Sequence, residues 1–243
     1  MNESALTDNG SERVTQRRKP LGYLYDLFCI IFPERCPYCQ KIIKSAKIAC
    51  DDCTDKLDTL QKPIIRGTYG YRCISSFVYG GFIRRMILRI KYHDRIQSIP
   101  QCAVIMERDI RRLYNGYRFD VITSVPMHKK DLKKRGYNQS ELLAKELSKR
   151  LDIPYADLLV KVKRTKKQQS CSYKERKTNV RGAFQVIDKT LIEGKNILII
   201  DDIITSGETL GNCCKTLNRS KPGVICCATI ANASHRAAEN NII

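Results

Sequence analysis

Residues Ile197 to Leu210 read ILIIDDIITSGETL, and the fold of the chain turns on this stretch. Four apolar residues, Ile197, Leu198, Ile199 and Ile200, run unbroken into two adjacent carboxylates, Asp201 and Asp202. An apolar run without polar alternation suits a strand buried on both faces, as in a parallel sheet. A turn of small residues follows, Thr205-Ser206-Gly207-Glu208-Thr209, and then a segment that can be helical. Such a turn at the start of a helix offers backbone N–H groups, hydroxyls and a positive dipole end to a phosphate. Carboxylates at the carboxyl end of the strand accept hydrogen bonds from ribose hydroxyls or hold Mg²⁺. Ribose, phosphate and metal within one short span describe a sugar-phosphate site. A central strand with a generically capped helix would need neither the doubled acids nor hydroxyls and glycine in this order.

Working outward, the segments upstream supply the rest of an α/β sheet. Asp120 to Val125 reads as a buried strand ending at Pro126, and Ser140 to Leu151 as a helix with Leu142, Leu143 and Leu147 on one side. Between them lies a basic loop in which Lys129, Lys130, Lys133, Lys134 and Arg135 face one acid, Asp131. A loop at the carboxyl end of a buried strand is where α/β sheets place ligands. Its cations suit a pyrophosphate, with Arg135 able to bind in bidentate fashion. A solvated charge run is the bland alternative, which Arg135-Gly136-Tyr137-Asn138-Gln139 does not resemble. His128 is read as structural or incidental. From Lys161 to Arg181, nine cations stand against Glu175 alone, with no helical or strand period. This reads as a mobile basic loop over the site, leading into a strand at Ala183 to Ile187, and equally as a nonspecific nucleic-acid patch. Cys73 to Tyr79 reads as a strand and Val224 to Ile230 as another. One helix should place Ile83, Ile87 and Ile90 toward the core, and the next, from about Pro100 to Tyr114, Val104, Ile105, Ile110 and Leu113.

The N-terminal part has another character. Cys36-Pro37-Tyr38-Cys39 and Cys50-Asp51-Asp52-Cys53 form two C-x₂-C knuckles. Each knuckle presents two thiolates, so Cys36, Cys39, Cys50 and Cys53 together close a tetrahedral, structural Zn²⁺ site. The metal would substitute for a core that so short a segment can hardly supply. A redox role is the weaker reading, since no βαβ pattern surrounds the pairs. The expected division is a disordered polar tail over 1–20, a helix plus Cys₄ module over 21–65, and the sheet domain over 66–243.

The chain of 243 residues carries 44 Lys and Arg against 25 Asp and Glu, a net charge of +19. That excess points to an anionic partner, whether nucleic acid, phosphorylated substrate or membrane surface; solvated lysines are the bland alternative. Lys163, Lys166 and Lys167 are the candidates for nucleic acid, with Tyr137 and Tyr173 available to stack on bases. The apolar run from Leu21 to Phe32 after Arg17-Arg18-Lys19 imitates a signal peptide. Asp26 interrupts it, no cleavage site follows and it is too short to span a bilayer, so no transmembrane segment is expected. Twelve cysteines, two adjacent pairs of them in apolar segments, read as small hydrophobes in a reducing cytoplasm.

The Asp201-Asp202 stretch resembles the PRPP-binding signature of type I phosphoribosyltransferases. The resemblance implies ribose and Mg²⁺ contacts for Asp201 and Asp202. It implies a 5′-phosphate loop of Thr205, Ser206, Gly207, Glu208 and Thr209, with Ser206 where many members have Thr. Taken in order, the cysteine knuckles, Tyr79-Gly80-Gly81, Lys91-Tyr92 and Val125-Pro126 with Arg135-Gly136-Tyr137-Asn138-Gln139 are similar to the ComF family of ComFC-type competence proteins. Arg164-Thr165 with Gln168, Arg176, Asn179 and Gly182-Ala183-Phe184 extend the likeness. It implies a type I phosphoribosyltransferase-like parallel sheet flanked by helices, with a small N-terminal Cys₄ zinc-finger segment. Lys129, Lys130 and Arg135 would then form the pyrophosphate loop, and Arg164, Gln168, Arg176 and Arg181 would belong to the mobile loop. The implied biology is natural transformation: PRPP with Mg²⁺, single-stranded DNA, and work beside a competence helicase and a DNA-uptake channel at the inner membrane face. Two other readings use the same residues, a nucleotide-salvage phosphoribosyltransferase and a DNA-binding adaptor with a vestigial PRPP site. Turnover of PRPP with an acceptor separates them. No general base can be assigned from the sequence, so catalysis stays open.

Overall fold

The computed structural model describes residues 35–36, 38–43, 49–92, 96–164 and 182–234. The tail over 1–20, the helix expected over Leu21 to Phe32, and Lys166, Lys167, Gln168, Tyr173, Arg176 and Arg181 lie outside the described residues. In chain order the elements are α1 (Asp51–Leu60), β1 (Gln61–Thr68), β2 (Tyr71–Val78), α2 (Gly81–Tyr92), α3 (Ile99–Leu113), β3 (Val121–Ser124) and α4 (Lys129–Arg135). Then come α5 (Gln139–Leu151), β4 (Leu159–Lys161), β5 (Phe184–Val186), β6 (Ile197–Ile204), α6 (Glu208–Asn218) and β7 (Ile225–Asn232).

The ILII run lies inside a five-stranded sheet of order β1-β2-β7-β6-β3. Ile197–Ile200 pair in parallel with Val121–Ser124 on one side and with Ile225–Ala228 on the other. β2 continues the parallel set beside β7, and β1 adds an antiparallel edge. Both faces of the sheet are covered, which explains the missing polar alternation. Leu198 and Ile200 pack with Met106, Leu143 and Leu147 from the helices on one side. Ile197 and Ile199 pack with Cys213, Cys214 and Leu217 of α6, and with Phe184 of the β4–β5 ribbon, on the other. Each such apolar side chain contributes roughly 1.5–3 kcal/mol on burial. Cys213, Cys214, Cys226 and Cys227 are all buried in these layers, as small hydrophobes would be.

The flanking helices follow their apolar spacing. α2 buries Ile83, Met86, Ile87 and Ile90. α3 buries Cys102, Ala103, Ile105, Met106, Asp109 and Ile110, and this phase turns Val104 outward, 42% exposed, against expectation. Leu113 is half-buried. Another difference concerns the basic span after β3, which is a helix, α4, and not an irregular loop. His128 caps it by accepting from the Lys130 N–H, and Gly136, at φ 86°, ends it in the left-handed region that glycine enters freely. The boundary expected at 65/66 falls inside β1. Cys36, Tyr38, Ala49, Cys53 and Leu57 belong to the same buried cluster as α2, α3 and α5. Among the described residues no helix is long and apolar enough to cross a membrane.

Candidate functional site

Asp201 and Asp202 stand near the carboxyl end of β6, and each is held by side chains from distant sequence. Lys91 Nζ, at the end of α2, lies 2.8 Å from Asp202 Oδ2. Gln139 Nε2, at the start of α5, donates to the same oxygen over 2.8 Å. Ser140 Oγ donates to Asp201 Oδ1 (2.8 Å), which also accepts from the backbone N–H of Asp202 (2.9 Å). Burial first, and the neighbouring Asp202 charge second, push the Asp201 carboxyl up to about 7. Burial opposes the Lys91 charge, but the Asp202 carboxylate outweighs it and holds the ammonium above its ordinary range.

The Arg135-Gly136-Tyr137-Asn138-Gln139 span brings these groups together residue by residue. Arg135 Nη1 donates to Gln139 Oε1 (2.6 Å), which leaves the Gln139 amide nitrogen aimed at Asp202. The Arg135 guanidinium also lies over the Tyr92 ring, 5.3 Å from its centroid. Gly136 ends α4, and Tyr137 Oη donates to the Ile90 carbonyl. Asn138 caps α5 through the Ser140 N–H and donates to the Val125 carbonyl (3.0 Å). Lys91-Tyr92 and the Arg135-to-Gln139 span are therefore two halves of one support for the acids. Lys129 and Lys130 are exposed on α4. Arg164 binds Asp131 Oδ1 through Nε (3.2 Å) and Nη2 (3.0 Å), tying the start of the basic span to α4. Lys163 is exposed at the same point.

The turn after β6 is built for close approach. Gly207, at φ 83°, is the N-cap of α6, and a Cβ there would stand 2.8 Å from Thr68 Cγ2. Ser206 Oγ accepts from the Glu208 N–H (3.4 Å), and Thr205 is exposed. Glu208 and Gly207 are buried, and Thr209 half-buried. Three residues of the β1–β2 hairpin brace this loop. Arg66 Nη1 donates to the Thr205 carbonyl (2.8 Å), Thr68 lies against Gly207, and Tyr69 Oη donates to Glu208 Oε1. The Tyr69 ring covers Gly211, where a Cβ would come within 2.0 Å, and Lys215 Nζ lies 3.7 Å from the ring centroid. Glu208 thus turns its carboxylate toward Tyr69, so the loop presents backbone N–H groups to an anion without a facing negative charge.

Lys91, Gln139 and Ser140 were not among the residues assigned to the site from sequence, and neither were Arg66, Thr68 and Tyr69. Lys91 and Gln139 carried a signal, since they lie in motifs that had no assigned role. The hairpin residues carried none, because their partners are over a hundred positions away.

At the knuckles, the sulfurs of Cys36, Cys39, Cys50 and Cys53 all lie within 4.8 Å of one another. Tetrahedral zinc with Zn–S bonds of about 2.3 Å sets sulfurs about 3.8 Å apart, so the set fits one ion. Burial raises the Cys36 thiol, but N–H groups of Cys50, Cys39 and Tyr38 outweigh it and bring the thiol down to about 7. Burial moves the Cys50 and Cys53 thiols the other way, upward, so a shared cation would have to hold these two as thiolates.

Known proteins resemble this chain over parts of its length. Residues 138–242 match the phosphoribosyl transferase domain, a span that holds α5, the acid-ended strand β6 and the turn after it. An adenine phosphoribosyltransferase structure aligns over 77% of this chain and 95% of its own, at 10% identity and a TM-score of 0.40. The chain is a homologue of competence protein F of Haemophilus influenzae, with 29% identity over 202 residues, 76% of this chain and 84% of that protein. DNA utilization protein YhgH of Escherichia coli is 27% identical over 189 residues, covering 76% and 78%. Competence protein ComFC of Bacillus subtilis is 26% identical over 178 residues, covering 72% and 68%.

Proposed function

We propose that this chain binds PRPP with Mg²⁺ at the end of β6, and single-stranded DNA on its basic surface, in the service of DNA uptake during transformation. The observation that carries the PRPP reading is the convergence of Lys91, Gln139 and Ser140 on Asp201 and Asp202, beside a loop braced by Arg66, Thr68 and Tyr69. The buried Lys91–Asp202 pair holds one acid in place. Ribose hydroxyls would meet the acids, the 5′-phosphate would meet the N–H groups of 205–209, and Mg²⁺ would offset the second carboxylate and the pyrophosphate. Lys129 and Lys130, exposed on α4, and Arg135 would supply the cations for a pyrophosphate. The DNA part rests on the names of the relatives and on the +19 charge. The Cys₄ module acts as a zinc-held platform on the phosphoribosyltransferase-like domain.

PRPP with Mg²⁺ should raise the melting temperature of the chain, by mass action on the native state; at a hundredfold excess over Kd the gain is about 2.7 kcal/mol. Asp201→Asn with Asp202→Asn should remove that shift while the protein stays folded. An undiminished shift in the double variant would place the ribose elsewhere.

A further inference from the structure

Away from the sugar-phosphate site, the described residues line an open cleft of about 340 Å³ between the Cys₄ knuckle and two helices. One wall is the outer stripe of α2, Phe82, Arg85 and Arg89, at helical spacing. The other is Asp52, Cys53 and Lys56 of α1, and Tyr38, Cys39 and Lys41 of the knuckle close the end. Four cations thus face one another with one acid among the described lining residues.

The charges are held there by specific contacts. Lys41 Nζ pairs with Asp52 Oδ2 (2.6 Å), which neutralises one cation and leaves Lys56, Arg85 and Arg89 in excess. Arg89, half-buried, donates through Nη1 to the Tyr38 carbonyl, so the knuckle backbone fixes this guanidinium at the cavity wall. Lys56 Nζ lies 5.5 Å from the centroid of the Phe82 ring, which tethers the ammonium to the opposite wall. Like charges gathered on facing walls repel, and an anion between them relieves the repulsion. A cavity of this size admits a phosphate with part of its sugar and not a folded partner.

We propose that this knuckle cleft is a phosphodiester-binding site that takes the backbone of single-stranded DNA, separate from the site at the end of β6. It rests on the DNA-binding reading above and gives that reading a second, zinc-dependent contact surface. Arg85 would offer a phosphate its paired donors, Arg89 the donors that Tyr38 does not take, and Lys56 a point charge.

The test uses the full-length, zinc-loaded chain and a fluorescent dT₂₀ oligonucleotide, titrated over a range of salt, with orthophosphate as competitor. Lys56→Gln with Arg85→Gln should flatten the slope of log K against log salt by about 1.4 units, two phosphates at about 0.7 each on a single strand. Zinc content and the PRPP-induced melting shift should be unchanged, and orthophosphate should compete only at high concentration. A dT₂₀ slope unaltered in the double variant, with binding lost on Lys163→Gln, Lys166→Gln and Lys167→Gln, would overturn the cleft and spare the DNA reading. Failure of the wild-type chain to bind dT₂₀ would overturn both. Orthophosphate binding that depends on Arg85, without dT₂₀ binding, would show a small-anion site in place of the strand.

Discussion

The cysteine knuckle and the phosphate loop are both short turns whose backbone must be held in place, and they are held by opposite means. The knuckle draws its restraint from four thiols between Cys36 and Cys53, close together in the chain, that can share one ion. The loop at 205–209 draws its restraint from Arg66, Thr68 and Tyr69, while the acids before it draw on Lys91, Gln139 and Ser140. A metal concentrates the holding energy at one point, whereas a network of packed and hydrogen-bonded groups spreads it over several elements. The first should fail all at once and the second by degrees.

The largest expected effect follows from the metal. Cys36→Ser, or a strong chelator, should release one zinc per chain. Structural zinc sites in small peptides supply on the order of 10 kcal/mol. Because Cys36, Cys53 and Leu57 share the buried cluster of α2, α3 and α5, the loss should reach the main core. A fall of about 10 °C or more in the melting temperature is expected, a few kcal/mol at roughly 2–4 °C each. Metal analysis of protein purified without chelator checks the premise, and absence of zinc there sinks it.

Lys91→Met comes next. It leaves Asp202, 5% exposed, with its neighbour carboxylate and no cation. Removing one partner of a buried pair costs about 3–5 kcal/mol. PRPP binding should weaken with it, because the acids would take up a proton instead of a ligand. Chemical denaturation and PRPP titration read the two effects separately. If stability is unchanged, the pair is not what holds the acids.

The contrast also explains what the sequence reveals. The knuckles are legible because zinc reads spacing, and spacing is a local property of the chain. The ILIIDD strand is legible for a similar reason, since burial on both faces leaves a continuous apolar run. α4 looks like a loop in sequence because its seven residues, five of them cations, show no apolar period. Its ends, His128 and Gly136, are capping signals that a charge-centred reading passes over. β1 is hard to see in sequence because Lys62 and Pro63 break its pattern, yet as an antiparallel edge strand it tolerates both. Tyr69 could not be connected with Glu208 from sequence, since that contact exists only once the sheet has formed.

A pH experiment sharpens the comparison at the acid pair. The Asp201 carboxyl is pushed up from 3.8 to about 7, so between those values the folded chain holds a proton that the unfolded chain has lost. Stability must therefore fall as pH rises through that window, the reverse of the usual behaviour of a salt-bridged carboxylate. The drop attributable to this group, discounted for its partial solvent contact, is on the order of 2 kcal/mol. Asp201→Asn should flatten it when urea unfolding is followed from about pH 4.5 to about pH 7.5 without Mg²⁺ or PRPP. A wild-type profile already flat across that range would mean that the acid pair is ionised throughout. Loss of the proton should also favour Mg²⁺ at the acids, so PRPP with Mg²⁺ is expected to bind more tightly as pH rises past neutrality.

The smallest effect tests the bracing of the loop itself. Tyr69→Phe removes one hydroxyl and keeps the ring that covers Gly211 and meets Lys215. Glu208, 6% exposed, then loses a donor to its buried carboxylate, at a cost of about 1–3 kcal/mol. The carboxylate is free to swing toward the phosphate position, where its charge opposes the ligand. PRPP affinity should therefore fall by more than global stability accounts for. Tyr69→Ala, which also strips the ring from Gly211, should lower both further. The comparison that decides is between Tyr69→Phe and a stability-matched core variant such as Ile105→Val. If the two lose PRPP affinity equally, the hairpin only stabilises the fold. If Tyr69→Phe loses more, the β1–β2 turn positions the loop, and the phosphate site depends on a contact made 139 residues away in sequence.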